Sequence, residues 1–395
     1  MVEDQQLQKQ NIKEILNHKE DLRLLILKNI QEHIPSWRNI ITHEMVHLTR
    51  LSGLSNACYR VKISPEVDDD NFQVEMQGLE PQSLLYRVFE CPIVDWDMEN
   101  VLFKTLSDQG IGPKLYYQCA EYRIEGFFLS RPITIFEMRN TLFLDAFAEK
   151  ICDFNYNKEA QESVNKFISM DQIQFRIWMS QWVDDVKKRL IVLREKQANN
   201  PDILRILQEF EEQFFFEGHI DYFESHLCSD SEIVLAHNDT QENNILSSLE
   251  DSTQILLIDF EYIGWAPRAY DLANYIAETM LENAYPLKNG IKCYLKNFMN
   301  DQEQKYLITK YLERHYEKYF QGDKTQVSLE DYLREEVPKL LQETRHLMLI
   351  ANYMWAVWSL KILKDENEGS DKCFNFDYLD CKIQMFKLVK QLYNF

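Results

Sequence analysis

The chain has 395 residues, 45% hydrophobic and 27% charged, enough apolar side chains for two or three units with real cores, which sets aside a disordered chain. Against 43 Lys and Arg stand 64 Asp and Glu, and the formal charge of -21 repels phosphate backbones and anionic lipid, so nucleic acid and polybasic membrane docking lose ground. A negative chain with 20 Tyr, 23 Phe and 7 Trp suits a small cationic ligand.

The first predicted element is a helix, because apolar residues recur at helical spacing from Ile12 to Ile30 and Pro35 stops the pattern. VHLTRL (46–51), ACYRVKI (57–63) and LLYRVFE (84–90) are rich in branched and aromatic residues and read as strands. The stretch 64–83 between the second and third, with three consecutive aspartates, reads as a solvated acidic loop. NVLFKTLSDQG (100–110) has helical spacing and a glycine stop, and KLYYQCA and RIEGFFLS follow as two more strands. One helix on a five-stranded antiparallel sheet is the expectation for residues 1–128. From 129 to 395 the chain is mainly helical, with amphipathic segments around 141–155, 171–196, 201–227, 269–283, 291–320 and 337–363 and one β-rich island at 232–260. The whole is α+β, a small β-rich lobe followed by a large helical one.

Eight cysteines lack C-x-x-C or zinc-type spacing, which indicates reduced thiols. The polar, acidic N-terminus does not look like a secretory signal. The longest charge-free apolar stretch, His346 to Leu360, is too short to span a bilayer. Together these predict a cytoplasmic protein.

The chemistry concentrates in the β island. In EIVLAHNDTQENNILSS a strand runs into His237, Asp239 and Asn244, and QILLIDFEY ends a further strand at Asp259. H-x-D-x-x-x-x-N followed by a strand ending in D-F is the spacing of kinase-type phosphoryl transfer, in which one Asp meets the acceptor hydroxyl while an Asn and a second Asp hold magnesium on ATP. Magnesium favours hard oxygen ligands and keeps part of its water, so one carboxylate and one amide oxygen suffice beside the phosphates. Asp and Asn also cap turns; the weight here comes from the agreement of motif, strand–loop–strand setting and a β-rich lobe upstream. His237 reads as a buried prop of the loop. There is no G-x-G-x-x-G, no V-A-I-K, and DFE stands in place of DFG, so a small-molecule kinase fits better than a protein kinase.

At these residues the sequence resembles the choline/ethanolamine kinase family, from about Ile34 to the C-terminus. HNDTQENNIL and IDFEYIGWAPRAYDLANYIAE resemble its two signature segments, LSGLSNACYRV its nucleotide-binding loop, LLYRVFE its third strand, and MWAVWS and FDYLDCKIQMF its substrate-pocket segments. The resemblance implies a two-lobed protein-kinase-like fold, with ATP bound by residues 1–128 and catalysis and amine binding in 129–395.

Carried over residue by residue, it makes Asp239 the catalytic carboxylate and Gln241 its neighbour near the same hydroxyl. Asn244 and Asp259 become the Mg2+ ligands, with Glu261 beside them. Arg87 takes the place of the phosphate-contacting basic residue, Glu99 that of its ion-pair partner, and Ser55 and Asn56 the donors to the phosphates of ATP. Asp271, Asn274 and Glu278 share one face of a helix, with Asp271 bracing the loop and Glu278 attracting the substrate ammonium. Trp355, Trp358 and Tyr378, with Tyr285, would wall a pocket for a quaternary ammonium. Cys381 departs from the family, which commonly has a second pocket Tyr there.

DFEY and FDYLD lean toward choline and the missing Tyr leans away. The expected activity is transfer of the ATP γ-phosphate to choline, giving phosphocholine for phosphatidylcholine synthesis. An ethanolamine or dual kinase is the alternative, and an aminoglycoside-type phosphotransferase a more distant one. A homodimer is implied by the resemblance alone.

Overall fold

The computed structural model describes residues 19–38, 42–51, 56–63, 81–91, 93–214, 222, 225, 231–283, 291–370 and 373–395. Ser55, Tyr285 and most of the acidic stretch after Ile63 lie outside the described residues. The chain divides into two compact units, Met1–Leu129 and Ser130–Phe395.

In the first unit, helix α1 (Lys19–His33) precedes strands β1 (Val46–Arg50), β2 (Asn56–Ile63) and β3 (Ser83–Phe89). Helix α2 (Trp96–Asp108) and strands β4 (Leu115–Gln118) and β5 (Tyr122–Gly126) complete it. The strands form one sheet in the order β1-β2-β3-β5-β4, and every neighbouring pair is antiparallel. Strand alternation separates its two faces. Tyr59, Val61, Leu84, Tyr86, Val88 and Ile124 point to one side and form a core with Leu22, Ile26 and Ile30 of α1. The alternate positions Arg87, Arg123 and Glu125 are buried as well, and Arg123 reaches Glu99 and the Phe103 ring on α2. Two helices are therefore involved where one was expected: α1 covers the apolar face and α2 meets the charged residues.

The second unit opens with β6 (Ser130–Pro132) and helices α3 (Thr141–Asn155), α4 (Lys158–Val164), α5 (Gln174–Lys196) and α6 (Pro201–Phe214). Strands β7 (Ile233–Ala236), β8 (Ile245–Ser248), β9 (Ile255–Leu257) and β10 (Gly264–Pro267) follow, then helices α7 (Ala269–Glu278), α8 (Asp301–Lys318), α9 (Leu329–Lys361) and α10 (Phe374–Tyr393). The β island is not one ladder. β7 pairs with β10, whereas β8 pairs with β9 and β6. Sequence patterning passed over β10 because Gly264 and Pro267 are poor strand signals. Glycine is required at its start, since a Cβ on Gly264 would strike the Gln174 side chain. The predicted 291–320 helix begins only at Asp301, where Asn300 supplies a capping box with Glu303. α9 begins earlier than predicted, at Leu329, capped by Ser328, whose hydroxyl accepts from the Asp331 N–H, and runs through Pro338. Among the described residues no helix is long and apolar enough to cross a membrane.

Candidate active site

The switch from the β7–β10 ladder to the β6–β8–β9 sheet creates the site. β7 leaves its ladder at Ala236 and the chain crosses through residues 237–244 to β8, so the loop must be held by its own polar contacts. Asp271, in the first turn of α7, supplies them. Its carboxylate accepts the backbone N–H groups of His237 at 3.0 Å and Asn238 at 2.8 Å and the Asn155 side-chain amide at 3.0 Å. Thr240 donates its hydroxyl to the Asp271 carbonyl at 2.9 Å. The bracing role expected of Asp271 is thus built from four bonds to fully buried surroundings.

His237 ties the same loop to the second motif. It is fully buried, and its Nε2 lies 2.9 Å from the Ile258 carbonyl, which can only accept. Nε2 is therefore the protonated nitrogen, leaving Nδ1 to face the Asp239 N–H at 3.4 Å. Burial lowers the pKa of the imidazole despite the nearby Asp271 carboxylate, so His237 acts as a neutral prop. Asn244 makes the second tie, its carbonyl accepting the Ile258 N–H at 3.0 Å. Asn238 and Asp259 both adopt positive φ, 66° and 68°, in the left-handed region that costs most residues energy. Each bend re-aims the chain where a strand has ended.

Within this frame Asn244 donates its side-chain amide to the Asp239 Oδ2 at 2.7 Å and to the Asp239 carbonyl at 2.9 Å. With both N–H groups turned to Asp239, the amide oxygen of Asn244 is the atom left to act as a ligand. Burial, reinforced by the Glu278 and Asp259 carboxylates, raises the Asp239 pKa well above the ordinary carboxylate range. Such a group is a stronger proton acceptor than a solvated carboxylate once ionised. Gln241 opens the single turn 242–244 and accepts the Asn243 side-chain amide at 3.1 Å. Glu261 lies partly buried in the turn two residues past Asp259.

No group of three His, Cys, Asp or Glu side chains gathers at metal-holding distance among the described residues. The donor set is an amide oxygen and a carboxylate, all hard oxygens, which suits a divalent cation that takes its remaining ligands from nucleotide phosphates and water.

Beyond Asp239 the site continues into a buried aromatic and acidic region. Trp355 and Trp358 on α9 stand edge-on, ring centroids 5.3 Å apart, and Trp358 lies 5.7 Å from Tyr378 on α10. Their indole N–H groups are fixed, Trp355 donating to Asn274 at 3.0 Å and Trp358 to the Tyr262 hydroxyl at 2.7 Å. Tyr262 is a fourth ring of this cluster that the sequence reading did not single out; its place three residues after Asp259 was the available signal.

Glu278 is 2% exposed and is ion-paired with Lys382, itself fully buried on α10. Glu278 also accepts the Asn283 side-chain amide at 3.1 Å. Asn283 in turn gives its backbone N–H, at 2.6 Å, to Glu242, whose buried carboxyl is pushed up to about 8 by desolvation and the Glu278 charge. Neither Glu242 nor Lys382 was legible as a site residue. Glu278, expected to await a ligand's ammonium, is already matched by one of the protein's own.

In the first unit the expected direct Arg87–Glu99 pair is corrected. Arg87 Nε lies 3.1 Å from Glu125, Arg123 Nε lies 2.9 Å from the same carboxylate, and Arg123 Nη2 reaches Glu99 at 3.0 Å. Arg87 and Arg123 are directly opposed in the β3–β5 register. Two intervening side chains therefore connect the expected partners, because strand register and not sequence spacing decides which charges meet. Asn56 is buried at the start of β2, its side-chain oxygen 3.4 Å from the Glu90 N–H.

The chain matches the family model for choline/ethanolamine kinase over residues 48–390. It is 24% identical to the choline/ethanolamine kinase of Rattus norvegicus over 366 residues, 90% of this chain and 82% of that protein. To choline kinase A2 of Caenorhabditis elegans it is 26% identical over 394 residues, 90% of this chain and 83% of that one. The choline kinase of Cryptosporidium parvum shares the fold with a TM-score of 0.68 at 20% identity, covering 94% of this chain and 96% of that chain. The ethanolamine kinase of Plasmodium vivax does so at 0.55 and 20% identity, over 87% and 83%.

The α+β, protein-kinase-like fold and the H-x-D-x-x-x-x-N loop with its second Asp define an ATP-dependent phosphotransferase acting on an alcohol. Within that class the chain belongs to the choline/ethanolamine kinase family.

Proposed function

We propose that the protein transfers the γ-phosphate of ATP to the hydroxyl of a small amino alcohol, with choline as the preferred acceptor. The observation that carries this reading is the Asp239–Asn244 pair, set 2.7 Å apart on a loop that Asp271 and His237 pin next to Asp259. Asp239 orients the acceptor hydroxyl and takes its proton as the oxygen bonds to phosphorus and the bond to the departing ADP breaks. Gln241, two residues further along the same loop, is assigned to the neighbourhood of that hydroxyl. Mg2+, with Asn244 and Asp259 as its protein ligands and Glu261 beside them, would neutralise the phosphate charge during transfer. Arg87, held in its buried charge network, and Asn56 are assigned to the nucleotide phosphates. The rings of Trp355, Trp358 and Tyr378 favour choline, because ring faces can meet a trimethylammonium that offers no hydrogen-bond donor.

The test is ATP consumption with choline, ethanolamine and an aminoglycoside side by side in magnesium buffer. Turnover with choline, weaker turnover with ethanolamine and none above background with the aminoglycoside is expected. Preference for the aminoglycoside would overturn the assignment.

A further inference from the structure

Resting on that reading of the pocket, the buried Glu278–Lys382 ion pair beside Tyr378 carries a statement about which acceptors it distinguishes. Lys382 is fully buried, an unusual place for an ammonium, and is compensated there by Glu278. Its Nζ also lies 5.2 Å from the centroid of the Tyr378 ring. A carboxylate and an aromatic face are the two features that would attract an amino alcohol's positive head, and in this chain a side chain of the protein already engages both.

The neighbouring acid does not restore the missing attraction. Both carboxylate oxygens of Glu242 are occupied by Asn283, which donates its backbone N–H at 2.6 Å and its side-chain amide at 3.2 Å. Local spacing does not bring the Glu278–Lys382 pair together, since Lys382 stands 104 residues from Glu278.

We infer that Lys382 is a specificity-determining residue: by serving as the internal counter-ion of Glu278 over the Tyr378 ring, it weakens the pocket's selection for a cationic head, so that acceptors are chosen by shape and apolar contact more than by charge. The residue is not a catalytic one, as it acts on the acceptor through Glu278 and Tyr378.

The experiment compares choline with its neutral isostere 3,3-dimethylbutan-1-ol, measuring kcat/KM for both on wild type, Lys382→Met and Lys382→Arg. Methionine keeps most of the bulk and drops the charge, which leaves Glu278 to the substrate. The choline-to-isostere ratio should rise about tenfold or more in Lys382→Met, as expected for a newly unmatched buried charge partner, and stay near the wild-type value in Lys382→Arg. A ratio within twofold of wild type in a folded Lys382→Met protein would overturn the inference, because a purely structural ion pair changes stability without changing charge selectivity.

If Lys382→Met does not fold, the neutral pair Lys382→Met with Glu278→Gln decides. It should keep a wild-type-like ratio, and a tenfold rise there contradicts the role given to Glu278. Failure of the kinase reading looks different, with neither alcohol phosphorylated by wild type. The melting shifts induced by the two alcohols then answer the question directly: a larger choline shift in Lys382→Met than in wild type supports the inference, and equal shifts overturn it.

Discussion

The two units bury charge in opposite ways. In the first, Arg87 and Arg123 face Glu99 and Glu125, two cations against two carboxylates, linked in one chain of contacts. In the second, Asp239 is buried with the Glu278 and Asp259 carboxylates acting on it, and Lys382, paired with Glu278, and the Asn244 amide offset only part of that charge. A balanced network holds its members in place, Arg87 among them, while the unmatched charge around Asp239 raises the affinity of that carboxylate for a proton.

The largest effect expected on that contrast is at the unbalanced site. Asp239→Ala should lower kcat by roughly 10²- to 10⁴-fold, the usual worth of a positioned acid–base group, with the melting temperature little changed. Steady-state kinetics beside a thermal melt give both readouts, and activity within a few-fold of wild type would remove Asp239 from the mechanism. The balanced network should behave in reverse. Arg123→Met strips Glu99 and Glu125 of a shared buried partner and should cost about 3 to 5 kcal/mol of stability, visible as a lower midpoint in urea. A small change there would mean that the four charges are independent.

The aromatic cluster stands between these extremes. Trp358→Leu removes a ring from the amine region and an N–H from Tyr262. The choline KM should therefore rise by roughly 2- to 30-fold on the cation–π magnitude, and the melting temperature should fall as well. Equal changes in the KM for choline and for ATP would assign the ring to packing alone.

The last effect is read as a dependence on pH. The folded-state pKa of Glu242 is raised from 4.5 to about 8, so the folded protein binds that proton more tightly than the unfolded chain does. Its stabilising contribution is present below about 4.5 and is lost as pH rises through about 8. Glu242→Gln mimics the protonated acid and should flatten the decline in melting temperature between those limits. Parallel curves for the two proteins would show that the carboxyl titrates normally.

Local spacing carried much of this site into view. Asp239, Asn244 and Asp259 lie within 21 residues, and the loop that joins them obeys a motif whose chemistry fixes the order of residue types. The five strands of the first sheet were equally legible, because branched and aromatic residues alternate along them. What sequence could not provide was contact across elements. The partner of Arg87 depends on the β3–β5 register, and the partner of Glu278 on how α7 packs near α10. β10 was missed because a close approach to Gln174 demands glycine where a strand pattern would place a branched residue. Each miss is a case of tertiary contact overriding local preference.

Asp239 is the residue proposed to serve phosphoryl transfer to an amino alcohol. Phosphorus NMR of wild-type protein incubated with ATP, magnesium and choline tests it most directly. ADP and a phosphate monoester of choline should appear in equal amounts, and the ester should be absent with Asp239→Ala. Formation of ADP and free phosphate with no ester, or undiminished ester from the variant, would contradict the account.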